Sequence, residues 1–118
     1  MDFIYRLFKK KQLSQEAFDA YFNRLPDIIQ VEWFRDGKFI IGKINAEGEE
    51  FLTQAFSAEE FVKMVNDTLL AVYEIPKEYF DVLLKVKRFV PDEDQYKRLN
   101  DVAIIKSNID FEKKLVKA

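Results

Sequence analysis

The sequence predicts an α+β fold: an antiparallel sheet of three to four strands with a helix packed on one face, preceded by N-terminal helices. Three observations carry that expectation. Residues 28–34 and 39–44 are β-branched and aromatic runs joined by Arg35-Asp36-Gly37-Lys38. Asp-Gly between such runs is a strong hairpin signal, because a type I′ turn needs positive φ at both central residues. A second turn over 45–49, carrying Gly48, leads into a third run over 50–56, so a meander is the economical arrangement. Ser57 and Glu60 then form the S-x-x-E pattern of a capping box, and Phe61, Val65, Thr68, Leu69 and Val72 recur on one face. That pattern predicts a helix over 58–73 lying on the sheet.

The other elements follow in chain order. Phe3, Ile4, Leu7 and Phe8 share one helical face, with Lys9 to Lys11 at the end where the helix dipole favours cations. Ser14 is an N-cap for a second helix with Phe18, Phe22 and Leu25 as its buried stripe, and Pro26 closes it. Gly42, inside the second strand, marks a bulge or a close approach of another backbone. Ile75-Pro76 breaks the long helix, and Pro76 suits the first position of a short one with Tyr79, Val82, Leu83 and Val86 inward. Residues 92–99 read as a helical turn or two and 102–105 as a strand. Ile109, Phe111, Leu115 and Val116 lie in a charged tail that docks or frays. The whole, 1–118, is one domain: a helical segment over 1–27, a sheet-plus-helix core over 28–90 and an extension over 91–118.

Composition narrows the function classes. The chain has 118 residues, 48% of them hydrophobic and 34% charged, which suits a globular domain with a modest core. It has no cysteine and no histidine, which removes disulfides, thiolate zinc sites, the cysteine nucleophile and the commonest general base. A net charge of −2 makes no electrostatic case for nucleic acid across the whole surface. No apolar run reaches the roughly 20 residues of a membrane span. The charges at the start follow the apolar patch, unlike those of a secretory signal, so a cytoplasmic protein is the default.

Catalytic constellations are absent from the pattern. Ser14 and Ser57 serve as caps and Ser107 stands beside Asn108 in a turn, none with an adjacent base. The acidic runs Glu49-Glu50, Glu59-Glu60 and Asp92-Glu93-Asp94 place neighbours on different sides of their elements, so they do not converge on one substrate atom. Asp92 to Asp94 also lacks the glycine and terminal glutamate of a calcium loop. Gly37, Gly42 and Gly48 are spread over the hairpins rather than gathered in a phosphate loop, so no cofactor is expected. The chain reads as a binding protein rather than an enzyme.

Three clusters are candidate binding residues. Phe3, Arg6, Lys9, Lys10 and Lys11 form a basic aromatic start suited to an anionic membrane surface or a phosphate backbone; the plainer reading is an amphipathic helix packed on the domain. Lys85, Lys87 and Arg88, next to Phe89, suit an acidic partner or nucleic acid; the plainer reading is a helix end or a guarded edge strand. Trp33, Arg35 and Phe39, with Phe34, surround the Asp36-Gly37 turn and are of the types enriched at interface hot spots, although alternation sends half of them into the core.

On Asp36-Gly37-x-Phe39, Phe51-x-Thr53-Gln54, Ser57-x-Glu59-Glu60 and the polar pair Asn66-Asp67, residues 29–75 resemble the HicB-like antitoxin domain. The resemblance implies a partial ribonuclease-H-like sheet whose fourth strand is 85–90 or 102–106. It implies a non-catalytic module that binds and masks a small ribonuclease toxin of HicA-like type. Ala55 stands where that family usually has glycine, and the C-terminal part has no evident helix-turn-helix or ribbon-helix-helix. The alternative is an accessory, oligomerising module that meets a membrane surface or nucleic acid through Phe3 to Lys11. A homodimer is compatible with either, since edge strands pair.

Overall fold

The computed structural model describes residues 13–101 and the backbone of the strand 111–114. Helix α1 spans Gln15–Arg24; β1 is Ile28–Asp36, β2 Phe39–Ala46 and β3 Glu49–Ala55. Helix α2 is Ala58–Val72, followed by a 3-10 turn at Lys77–Tyr79, α3 at Phe80–Val86, α4 at Glu93–Asn100 and β4 at Phe111–Lys114. The fold is α+β, with helices after the sheet as well as before it.

The strands pair antiparallel throughout in the order β3-β2-β1-β4. The fourth strand is a correction to the sequence reading. It comes from Phe111–Lys114 on the outer edge of β1, not from 85–90, where α3 ends and the chain turns extended at Lys87. The proposed strand at 102–106 lies outside the described residues, as do the segment 1–12 and Ser107.

The first hairpin turn departs from its expected type I′. Asp36 pairs with Phe39, so Gly37 and Lys38 are the central residues, and only Gly37 has positive φ, 62°. That is the type II′ pattern. The second hairpin carries the type I′ pattern, with Glu47 at φ 50° and Gly48 at φ 82° between paired Ala46 and Glu49.

Local capping behaves as the sequence predicts, with one variation. Ser14 Oγ accepts from Ala17 N–H, and Ser57 Oγ accepts from Glu60 N–H, both at 3.2 Å. The Glu60 carboxylate reaches one residue further back than in a capping box and accepts from Phe56 N–H at 3.2 Å. The full reciprocal box occurs instead at Asp92 and Gln95, which opens α4.

All the described helices contribute to one core against one face of the sheet. Ile29, Val31 and Trp33 of β1 and Ile40 and Ile44 of β2 meet Phe61, Val65 and Leu69 of α2, with Val82, Leu83, Phe89 and Leu99 closing the layer. Each such side chain removed from water contributes on the order of 1.5–3 kcal/mol. Gly42 sits where a Cβ would lie 2.3 Å from Phe61 Cε1 and 2.6 Å from Cζ. The close approach at the glycine is therefore made by the Phe61 ring, a side chain rather than another backbone, and the unbroken register rules out a bulge there.

Candidate protein-interaction face

The sheet has two faces, and the described helices cover one. On the other, side chains form a grid set by the strand register. At the first hairpin's end Asp36, Phe39 and Phe56 lie in a row; then Phe34, Ile41 and Gln54; then Glu32, Lys43 and Leu52; then Gln30, Asn45 and Glu50. The apolar members gather toward the hairpin end. The rings of Phe39 and Phe56 meet at 4.8 Å between centroids, tilted 39° to each other. Phe34 is 41% exposed, Phe56 58% and Leu52 71%. Single exposed apolar residues need no explanation, but a contiguous exposed group makes this face the candidate site.

The polar half of the face is organised around Lys43. Its Nζ lies 3.4 Å from Glu50 Oε1 and 3.8 Å from Glu32 Oε2. The hydrogen bond and charge of Glu50, then the charge of Glu32, raise the ammonium above its ordinary value. Glu32, Asp36 and Glu50 outnumber Lys43, so the rim of the apolar group is acidic. At the far end, a depression of about 370 Å³ is lined by Ile28, Ile29, Gln30, Asn45, Glu47 and Gly48. Beside it, burial first, then the Glu47 carboxylate and the charge of Glu49, push the Tyr73 phenol up to about 12.

The predicted site residues are dispersed by the fold. Alternation along β1 turns Trp33 and Arg35 inward, where they are 2% and 5% exposed. Arg35 Nη2 donates to the carbonyl of Leu99 at 2.6 Å, while its Nε has no partner. Phe39 faces outward on the grid. Of the basic cluster, Lys85 is exposed, whereas Lys87 is 2% exposed and fully engaged. Its Nζ donates to the carbonyls of Phe22 and Leu25, each at 2.7 Å, and to Asp27 Oδ1 at 3.0 Å, and lies 4.7 Å from the Phe22 ring centroid. An ammonium has three donors, and all three are used. Arg88 Nη1 folds back onto the carbonyls of Leu84 and Lys85 at 3.1 and 3.5 Å.

Lys87 and Arg88 thus serve the C-terminal ends of α1 and α3, where unpaired carbonyls and the helix dipole attract cations. Arg24 does the same for α2, donating to the carbonyls of Tyr73 and Glu74 at 3.2 Å each. Phe3, Arg6, Lys9, Lys10 and Lys11 lie outside the described residues.

Ile41, Leu52 and Phe56 are the members of the face that sequence reasoning missed. Apolar residues stand on both phases of β2 and β3, as in Ile40-Ile41 and Phe51-Leu52, so period-2 counting alone does not tell inside from outside. Among the described residues no group of three or more acidic side chains is placed to hold a metal ion, and no helix is long and apolar enough to cross a membrane. The chain matches no family model, no curated protein and no solved structure.

Proposed function

We propose that this chain is a non-catalytic protein-binding module of HicB-like type that takes its partner on the open face of the sheet. The observation that carries the reading is the group of exposed Phe34, Leu52 and Phe56 with half-buried Phe39 and Ile41, on a sheet whose other face is packed with aromatic and aliphatic side chains. The order of a three-stranded meander followed by a long capped helix is the one the HicB-like resemblance implies, and it supports the same reading. Under it, the partner is a small ribonuclease toxin, which the module neutralises or regulates. A protein that handles RNA carries a basic surface for the phosphate backbone, and the acidic rim of Glu32, Asp36 and Glu50 complements such a surface.

The test is co-purification of the tagged chain from its source, followed by titration calorimetry with the protein recovered. A stoichiometric complex with a small basic protein is expected. Phe34→Ser combined with Phe56→Ser is expected to abolish it without unfolding the chain. Absence of a stable protein partner, or binding indifferent to both substitutions, sinks the reading.

A further inference from the structure

We propose that the outer edge of β3 pairs antiparallel with β3 of a second copy of this chain, about a two-fold axis at Leu52, to make one continuous sheet across a homodimer. The inference is independent of the partner on the open face and rests on the backbone of one edge strand.

The paired residues Ala46 and Glu49 close a two-residue turn, and the closing pair of such a hairpin is a hydrogen-bonded pair. Pairs alternate along an antiparallel ladder, so Glu49, Phe51, Thr53 and Ala55 direct their N–H and C=O groups to β2. Glu50, Leu52 and Gln54 direct theirs outward. Among the described residues no strand lies on that side of β3, and no backbone bond takes those groups. The opposite edge of the meander, on β1, is occupied by β4.

Natural edge strands are usually guarded by lysine, proline, a bulge or shortness. β3 reads Glu-Glu-Phe-Leu-Thr-Gln-Ala over seven residues, with neither lysine nor proline, and its register with β2 runs without a bulge. It also carries the two most exposed large apolar side chains among the described residues, Leu52 within it and Phe56 immediately after it.

The outward groups are symmetric about Leu52. An axis there sets Leu52 against Leu52 of the second copy and Glu50 against Gln54 of the second copy, in both directions. Each of these facing pairs exchanges two backbone hydrogen bonds. No carboxylate faces a carboxylate, and Glu50 keeps its ion pair with Lys43. Moving the axis to Phe51 or Thr53 loses one facing pair. A second copy is therefore the occupant that the strand's own charge and hydrogen-bond pattern fits, and pairing two copies doubles the open face on one side of the assembly.

Because the chain has no cysteine, single introduced thiols map the axis directly. In the full-length protein, sedimentation at tens of micromolar is expected to give twice the chain mass. Leu52→Lys, at a side chain already in solvent, is expected to weaken the dimer by roughly a hundredfold or more, because two ammoniums then face each other. Leu52→Cys places two Cα atoms about 5.5 Å apart, within the roughly 4.4–6.8 Å reach of a disulfide, and is expected to cross-link on mild oxidation. Gln54→Cys alone puts its two copies about 14 Å apart along the strands and is expected not to cross-link, whereas a mixture of Glu50→Cys and Gln54→Cys chains is. A wild-type chain that sediments as a monomer overturns the proposal. So does a dimer that survives Leu52→Lys, or a Gln54→Cys chain that cross-links to itself as readily as Leu52→Cys.

Discussion

The same three strands build two unlike surfaces. On the covered face, Ile29, Val31, Trp33, Ile40 and Ile44 are sealed under α2 and its neighbours, and Gly42 is bare so that Phe61 can reach the backbone. On the open face, Phe34, Phe39, Ile41, Leu52 and Phe56 have comparable apolar bulk but, among the described residues, no helix above them. Hydrophobicity is therefore not what separates the two sides. The covered side is tied by groups that reach across elements: Asn66 Nδ2 donates to the carbonyl of Phe89 at 3.1 Å, and Phe89 N–H donates to Asn66 Oδ1 at 2.8 Å. The open side shows the cross-strand row of Glu32, Lys43 and Glu50 and the tilted Phe39–Phe56 ring pair. One face is cross-tied within the fold, and the other is the face on which the proposed function places a partner.

Substitutions test that division. The largest loss is expected for Asn66→Leu, which removes both hydrogen bonds between the Asn66 amide and the buried Phe89 backbone, at about 1–3 kcal/mol for each. Urea unfolding is expected to show the loss, together with faster amide exchange at Phe89. Gly42→Ala is expected next, costing about 1–3 kcal/mol by forcing the Phe61 ring off β2. Combining it with Phe61→Leu is expected to recover part of the loss; a full loss in the double variant would show that the ring contact is not the cause.

The rim between the faces has its own signature in pH. Tyr73 holds its proton up to about 12 in the fold, against about 10 for a free phenol. The folded pKa is raised, so this contribution to stability is complete below about pH 10 and is lost as pH climbs toward 12. Tyr73→Phe is expected to flatten the decline over that interval in unfolding measurements at alkaline pH. The smallest effect on stability is expected on the open face. Phe34→Ser and Phe56→Ser each are expected to stay within about 0.5 kcal/mol of wild type. A large destabilisation from either would mean that the open face is part of the core, and the division would fail.

Much of the fold was legible because it is written locally. Ser14, Ser57 and Pro26 mark helix ends through bonds to residues three or four away, or through a ring that removes a donor. The turn chemistry was legible in place but not in type. A one-residue difference in register puts Gly37-Lys38 rather than Asp36-Gly37 at the turn's centre, and gives the double positive φ to Glu47-Gly48. The site was less legible. Lys87 and Arg35 look like surface groups in a charged sequence, and only packing shows that one ties α1 to the end of α3 while the other lies against Leu99.

By itself the sequence determined the three-stranded meander, the capped helix that follows it and the absence of histidine and cysteine chemistry, because alternation, turns and caps depend on neighbours in the chain. Only the tertiary structure decided which phase of each strand is covered, that Phe111–Lys114 rather than 85–90 supplies the fourth strand, and that basic residues close helix ends. Those outcomes join residues tens of positions apart, such as Lys87 with Phe22 or Arg24 with Tyr73. Burial and long-range hydrogen bonding belong to the assembled chain, and no local pattern encodes which distant carbonyl a buried ammonium will meet.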